Sequence, residues 1–300
     1  MTVKILVSDK IADEGIKILE EEGYEVKRGW DIPKPDLPKI IGEYNVLIVR
    51  SATKVRGELL ENAKNLKVIG RAGEGLDNVD FERAKQLGIT LVNTPHVSYI
   101  SVAELTIGHM IALARNIVQC TNSLREGKWE KEKLMGTELS GKTLGVIGCG
   151  FIGKDVERLA LALGMKVIVV EECVYDRFVP LADMLPQADF ITLHVPLTPK
   201  TRHLISTKEF NLMKTGVRII DCSRGGVIDQ DALYQALLSG KVGGAALDVF
   251  EEEPPKDRRL FALSNVIATP HMGAQTFEAQ HRASIQIANN VIDALDKLKL

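Results

Sequence analysis

Short apolar runs rich in β-branched residues alternate with amphipathic segments from one end of this sequence to the other, and no other feature constrains its fold as tightly. Strand-length runs separated by helix-length segments predict βαβ units around mostly parallel sheets, so the class is α/β. The first series puts strands at 3–7, 24–27, 46–49, 67–69 and 90–92, with helical stretches at 11–22, 37–41, 57–62 and 81–86. A long apolar segment at 102–119 reads as one helix buried between packed units. A second series begins at Lys142, with strands at 143–147, 166–170, 190–193, 218–221, 245–249 and 266–268, and the closing segment 276–298 is helical.

Two series of strands suit a chain of 300 residues, roughly twice a usual domain of ~150 residues. Lys plus Arg is 38 against 40 Asp plus Glu, net -2, so no global positive field exists for nucleic acid or an anionic membrane. Any anion is captured locally. Cys120, Cys149, Cys173 and Cys222 are too widely spaced for a CxxC pair or a zinc site, which leaves free thiols in a reducing, cytoplasmic setting as the expectation. The first ten residues lack the apolar core of an export signal, and no apolar run approaches the ~18 residues of a membrane span.

Ligands of open α/β sheets bind beyond the carboxyl ends of strands, so those ends are where chemistry is sought. Gly148-Cys149-Gly150-Phe151-Ile152-Gly153 lies between the strand at 143–147 and a helix, the context in which a glycine turn brings backbone N–H groups to a pyrophosphate. The next strand ends at Glu171, whose carboxylate would accept both hydroxyls of an adenosine ribose and repel a 2′-phosphate, favouring NAD over NADP. Arg224, after the buried run at 218–221, offers paired donors to a carboxylate or phosphate, and is equally compatible with a surface ion pair. Glu251-Glu252-Glu253 reads as a solvated loop. His271 follows the strand at 266–268 and carries the side chain whose ordinary charge change falls near neutral pH. His109 reads as a core residue, His203 and His281 as surface, and His194, ending a strand, as lining a cofactor groove. The basic stretch 123–133 around Trp129 reads as a solvated connector, or as an arm that delivers a cation to a partner subunit.

Spacing does not bring Arg224, an acid and His271 together. Their order does, because with Arg50-Ser51-Ala52-Thr53, Gly70-Arg71-Ala72-Gly73, Ala103-Glu104-Leu105-Thr106 and Gly136-Thr137-Glu138-Leu139 it resembles the NAD-dependent D-2-hydroxyacid dehydrogenase family over nearly the whole chain. The resemblance implies a doubly wound, Rossmann-type cofactor domain at 95–275 inserted into a flavodoxin-like substrate domain made of 1–94 and 276–300. It also implies that the regulatory serine-sensing domain of longer members is missing, so feedback inhibition through it is not expected.

Carried over by motif, Arg224 would bind the substrate carboxylate and carbonyl, His271 would be the general acid/base and Glu253 its partner. NAD contacts would come from Gly148, Gly150, Phe151, Ile152, Gly153 and Glu171, then from His194, Val195, Pro196 and Thr201, and finally from Cys222, Ser223, Asp248, Gly273 and Ala274. Arg50, Ser51, Arg71, Ala72 and Gly73 would cradle the substrate's anionic groups, with Lys131 reaching a neighbouring subunit's site in a homodimer. Glu74 stands where members carry a small or hydroxyl residue, Phe151 where an arginine is common, and Glu171-Glu172 where Asp-Pro is usual. The activity implied is oxidation of 3-phosphoglycerate to 3-phosphohydroxypyruvate at the entry to serine synthesis. Reduction of glyoxylate or hydroxypyruvate is the alternative within the family, and an NADH-sensing corepressor-like binding protein the alternative of another class.

Overall fold

Two aliphatic runs, Ile5–Val7 within β1 (Lys4–Val7) and the whole of β3 (Val46–Val49), form the centre of the first sheet and are fully buried. Strands covered on both faces need no polar alternation, which is why they read as continuous apolar runs. The computed structural model describes residues 2–170 and 179–299. Its contacts divide these into two units, residues 1–98 with 275–300 and residues 99–274, each taken by itself below.

In the first unit, β2 (Glu25–Arg28), β4 (Val68–Arg71) and β5 (Thr90–Asn93) complete a parallel sheet of order β2-β1-β3-β4-β5. The charged β2 occupies one edge, where Glu and Lys side chains discourage pairing with a stray strand. The helix Phe277–Leu298, capped by Thr276, lays Ala283, Ile287, Val291 and Leu295 against this sheet. Ser284 Oγ donates to Ala12 O at 2.6 Å and accepts from Gly15 N at 3.2 Å, stitching the chain's last helix to its first.

The second unit holds β6 (Thr143–Ile147), β7 (Lys166–Val170), β8 (Phe190–Leu193), β9 (Val217–Asp221), β10 (Val242–Leu247) and β11 (Val266–Ala268), all parallel, in the order β11-β10-β9-β8-β6-β7. Chain direction along the sheet reverses between β6 and β8, and the crevice at such a switch point is where these sheets bind ligands. Both sheets are those expected of an α/β chain.

Two expectations are corrected. The apolar segment at 102–119 is not one helix but two, Tyr99–Ala114 and Ile117–Arg125, broken at Asn116, whose backbone is left-handed (φ 52°). Asparagine tolerates that conformation, and its Nδ2 donates to the carbonyls of Leu134 and Met135, an alternative to continuing the helix. Ile117 and Val118 resume the apolar run just past the break, so hydrophobicity alone does not reveal it. Cys149 is disulfide-bonded, whereas Cys120 and Cys222 are free. Disulfides follow spatial proximity, about which wide sequence spacing says nothing.

Candidate active site

The turn after β6 is built for close backbone approach. Gly148 has φ 101°, and a Cβ there would lie 2.6 Å from His194 O at the end of β8, so only glycine lets the two strand ends meet. At Gly150 a Cβ would meet nothing within 4 Å, and the helix Phe151–Ala162 that follows has no side-chain N-cap. The open space at Gly150, at the positive end of the helix, fits a pyrophosphate. Ile152 packs inward, leaving only its backbone for a cofactor, while Phe151 is 56% exposed with its ring 5.9 Å from that of Tyr99. Glu171, expected at the ribose, lies outside the described residues.

Around this cradle, burial pushes His194 down to about 3, so it stays neutral, with Nε2 3.0 Å from Thr192 Oγ1. Val195 packs against Gly148, and Thr201 folds the following turn by donating to Pro196 O at 2.6 Å. Burial raises the Cys222 thiol far above its ordinary range, so it is an inert wall.

Arg224, half-buried, donates from Nη1 to Ser223 O at 2.8 Å. Its neighbour Gly225 sits so close to the loop after β10 that a Cβ there would overlap Phe250 O. That contact seats the loops after β9 and β10 on each other. Asp221, closing β9, accepts from Ser223 N and Ser223 Oγ at 2.9 and 2.6 Å, yet burial raises it to about 6. Its folded pKa exceeds the ordinary 3.8, so its contribution to stability is present below pH 3.8 and lost as pH rises through about 6. Asp221→Asn is therefore expected to be more stable than wild type by about 1–3 kcal/mol at pH 8 and no more stable at pH 4, read by thermal denaturation at both pH values.

The acidic run is not a uniform solvated loop. Glu251 Oε1 lies 3.2 Å from His203 Nε2, Glu252 pairs with Lys256, and Glu253 Oε2 lies 2.7 Å from His271 Nδ1. Glu253 Oε1 also accepts from Phe250 N at 3.2 Å, which fixes the carboxylate facing the imidazole. Resemblance, not spacing, supplied the pairing of Glu253 with His271, and the geometry now shows it.

Asp248, expected among the NAD contacts, anchors the loop after β11. It is 1% exposed, and its two oxygens accept from Thr269 Oγ1 (2.6 Å), Met272 N (2.8 Å) and Gly273 N (2.8 Å). His271 N meanwhile donates to Asp248 O at 2.9 Å. Asp248 thus holds the whole 269–273 loop that presents His271. Behind it, His109 Nε2 lies 3.1 Å from Thr269 Oγ1; because that hydroxyl gives its proton to Asp248, the imidazole must be the donor. Burial lowers His109, keeping it a neutral core residue, as its apolar helix suggested.

In the first unit, Arg50, Ser51, Arg71, Ala72 and Gly73 lie at the carboxyl ends of β3 and β4. Arg50 is half-buried, Ser51 is exposed, and the guanidinium of Arg71 packs against Gly73. Ala72 N already donates to Val49 O at 2.8 Å, so its N–H is not free for an anion. Glu74 faces His96 Nδ1 at 3.9 Å, and its carbonyl accepts from Asn93. Lys131 lies in an exposed stretch beside Trp129, lining a groove of ≈ 400 Å³ with Leu124, Leu134 and Met135.

Residues 107–273 match the family described as D-isomer specific 2-hydroxyacid dehydrogenase, NAD binding domain. The chain is 52% identical over 303 residues to the D-3-phosphoglycerate dehydrogenase of Methanocaldococcus jannaschii, covering 96% of this chain and 57% of that one. It thus spans little more than half that relative's length. It is 48% identical over 301 residues to the hydroxypyruvate reductase of Thermotoga maritima, covering 97% and 98%. A glyoxylate reductase crystal structure from Paecilomyes thermophila superposes with a TM-score of 0.88 at 29% identity, covering 99% and 96%. The chain belongs to the D-isomer specific 2-hydroxyacid dehydrogenase family, and its cofactor is NAD.

Proposed function

We propose that this chain catalyses NAD-dependent oxidation of 3-phosphoglycerate to 3-phosphohydroxypyruvate, the entry to serine synthesis. The observation that carries the reaction class is His271 Nδ1 at 2.7 Å from Glu253, on the same sheet edge as Arg224. A carboxylate at Nδ1 keeps the proton on that nitrogen, so Nε2 is the basic one. His271 Nε2 takes the proton from the substrate hydroxyl, and Glu253 stabilises the imidazolium that forms. The hydride leaving C2 would pass to NAD when it is bound. Arg224 holds the carboxylate beside that carbon and faces the charge on the oxygen, so both reacting bonds are oriented before the proton moves. Gly148, Gly150 and the first turn of the helix Phe151–Ala162 would hold the cofactor's pyrophosphate.

Arg50, Arg71 and Gly73 supply more anion-binding capacity than one carboxylate needs, which supports a phosphorylated substrate. Glu74, exposed beside them, favours the second reading, a reductase of unphosphorylated glyoxylate or hydroxypyruvate, because a carboxylate repels a phosphate dianion. The test is NADH oxidation with phosphohydroxypyruvate, hydroxypyruvate and glyoxylate. Preference for the phosphorylated acid is expected, and preference for the others would overturn the substrate. NADH binding without turnover of any of them would instead support the NADH-sensing binding protein.

The chain is further proposed to act as a homodimer. Trp129 and Met135, each 82% exposed, flank the groove beside Lys131, and a second copy would cover this apolar face and receive that lysine. Light scattering is expected to give twice the 33.0 kDa chain mass, and Trp129→Glu to give the monomer.

A further inference from the structure

We propose that Asp9 is a positioning residue for substrate binding, holding the 50–53 turn so that Arg50 and Ser51 are presented to an anionic substrate. The inference rests on reading that turn as an anion-contacting loop. Asp9 follows β1 and the turn follows the neighbouring β3, so the two meet at the carboxyl end of the sheet. Asp9 is 5% exposed, and each of its oxygens is taken twice. Oδ2 accepts from Arg50 N at 2.8 Å and Thr53 N at 3.0 Å, and Oδ1 accepts from Thr53 Oγ1 and Lys34 Nζ, both at 2.7 Å.

The anchors lie on either side of an exposed tip. Asn78 Nδ2 donates to Arg50 O and Thr53 O, each at 2.7 Å, and Ser8 Oγ lies 3.0 Å from Thr53 Oγ1. Backbone donors and acceptors at positions 50 and 53 are thereby fixed, while Ser51 and Ala52 between them stay in solvent. A turn with its own groups satisfied at both ends loses little freedom when an anion docks, which is the physical content of preorganisation. The carboxylate is required. An amide at position 9 would turn its NH₂ toward two donors in either orientation.

The test is steady-state reduction of phosphohydroxypyruvate with NADH by wild type, Asp9→Asn, Thr53→Val, Thr53→Ser and Arg50→Gln. Thr53→Val removes one hydroxyl from the network and serves if Asp9→Asn does not fold. Both are expected to raise KM for the keto acid, Thr53→Val about tenfold, with kcat and KM for NADH within about twofold and Thr53→Ser restoring wild-type values. If Arg50→Gln raises that KM and the Asp9 and Thr53→Val variants do not, the positioning role is wrong and the anion loop stands. If Arg50→Gln leaves it unchanged, or wild type turns over no keto acid, the anion-loop reading fails and the positioning role with it. A fall in kcat at unchanged KM would mean lost folded enzyme and would also overturn the proposal.

Discussion

His271→Asn is expected to lower kcat for keto-acid reduction by about 10²–10⁴-fold while the NADH dissociation constant stays within about twofold. His271 sits at φ 50°, a left-handed conformation that asparagine adopts more readily than most residues, so the loop survives the substitution. What disappears is the basic nitrogen that Glu253, 2.7 Å away on the other side of the ring, keeps free of its proton. Asparagine has no group that titrates near neutral pH, so the proton must come from water. Steady-state rates together with a fluorescence titration of NADH separate the chemical loss from any loss of cofactor binding. A parallel rise in the NADH dissociation constant would point to a cofactor role for His271.

Asp248→Ala is expected to cost about 3 kcal/mol of stability and to lower kcat by about 10²-fold, because it strips acceptors from three donors at once and releases the loop carrying His271. Thermal denaturation measures the first effect and steady-state kinetics the second. Asp248→Asn, which keeps one accepting oxygen, is expected to fall between Ala and wild type. A residue that touched NAD would show itself first in cofactor affinity. A large rise in the NADH dissociation constant with little change in kcat would therefore return Asp248 to the cofactor.

Strand ends such as Val7, Val49 and Leu193 were legible because a parallel strand buried on both faces is predominantly apolar and stops where polar residues begin. The edge strand β2 and the start of β10 were less so, since their side chains are charged or small and carry no such run. The glycine turn was legible for the same local reason: strand, turn and helix are contiguous in sequence. The anchoring roles of Asp248 and Asp9 were not. Each acts through backbone N–H groups far away in sequence, Asp248 on residues 272 and 273 and Asp9 on residues 50 and 53, and a backbone donor leaves no mark on residue identity. The roles of Glu251, Glu252 and Glu253 show the same limit, because three identical residues in a row find three different partners only once the chain is folded.

His271, Glu253 and Arg224 are proposed to carry out hydride-coupled proton transfer at C2 of a D-2-hydroxy acid. It is tested most directly by reducing a 2-keto acid with NADH deuterated at both C4 positions of the nicotinamide and examining the product by mass spectrometry and chiral chromatography. The expected product is the D-2-hydroxy acid with one deuterium at C2, formed by wild type and not measurably by His271→Asn. An L or racemic product, or a hydroxy acid without deuterium at C2, would contradict the account.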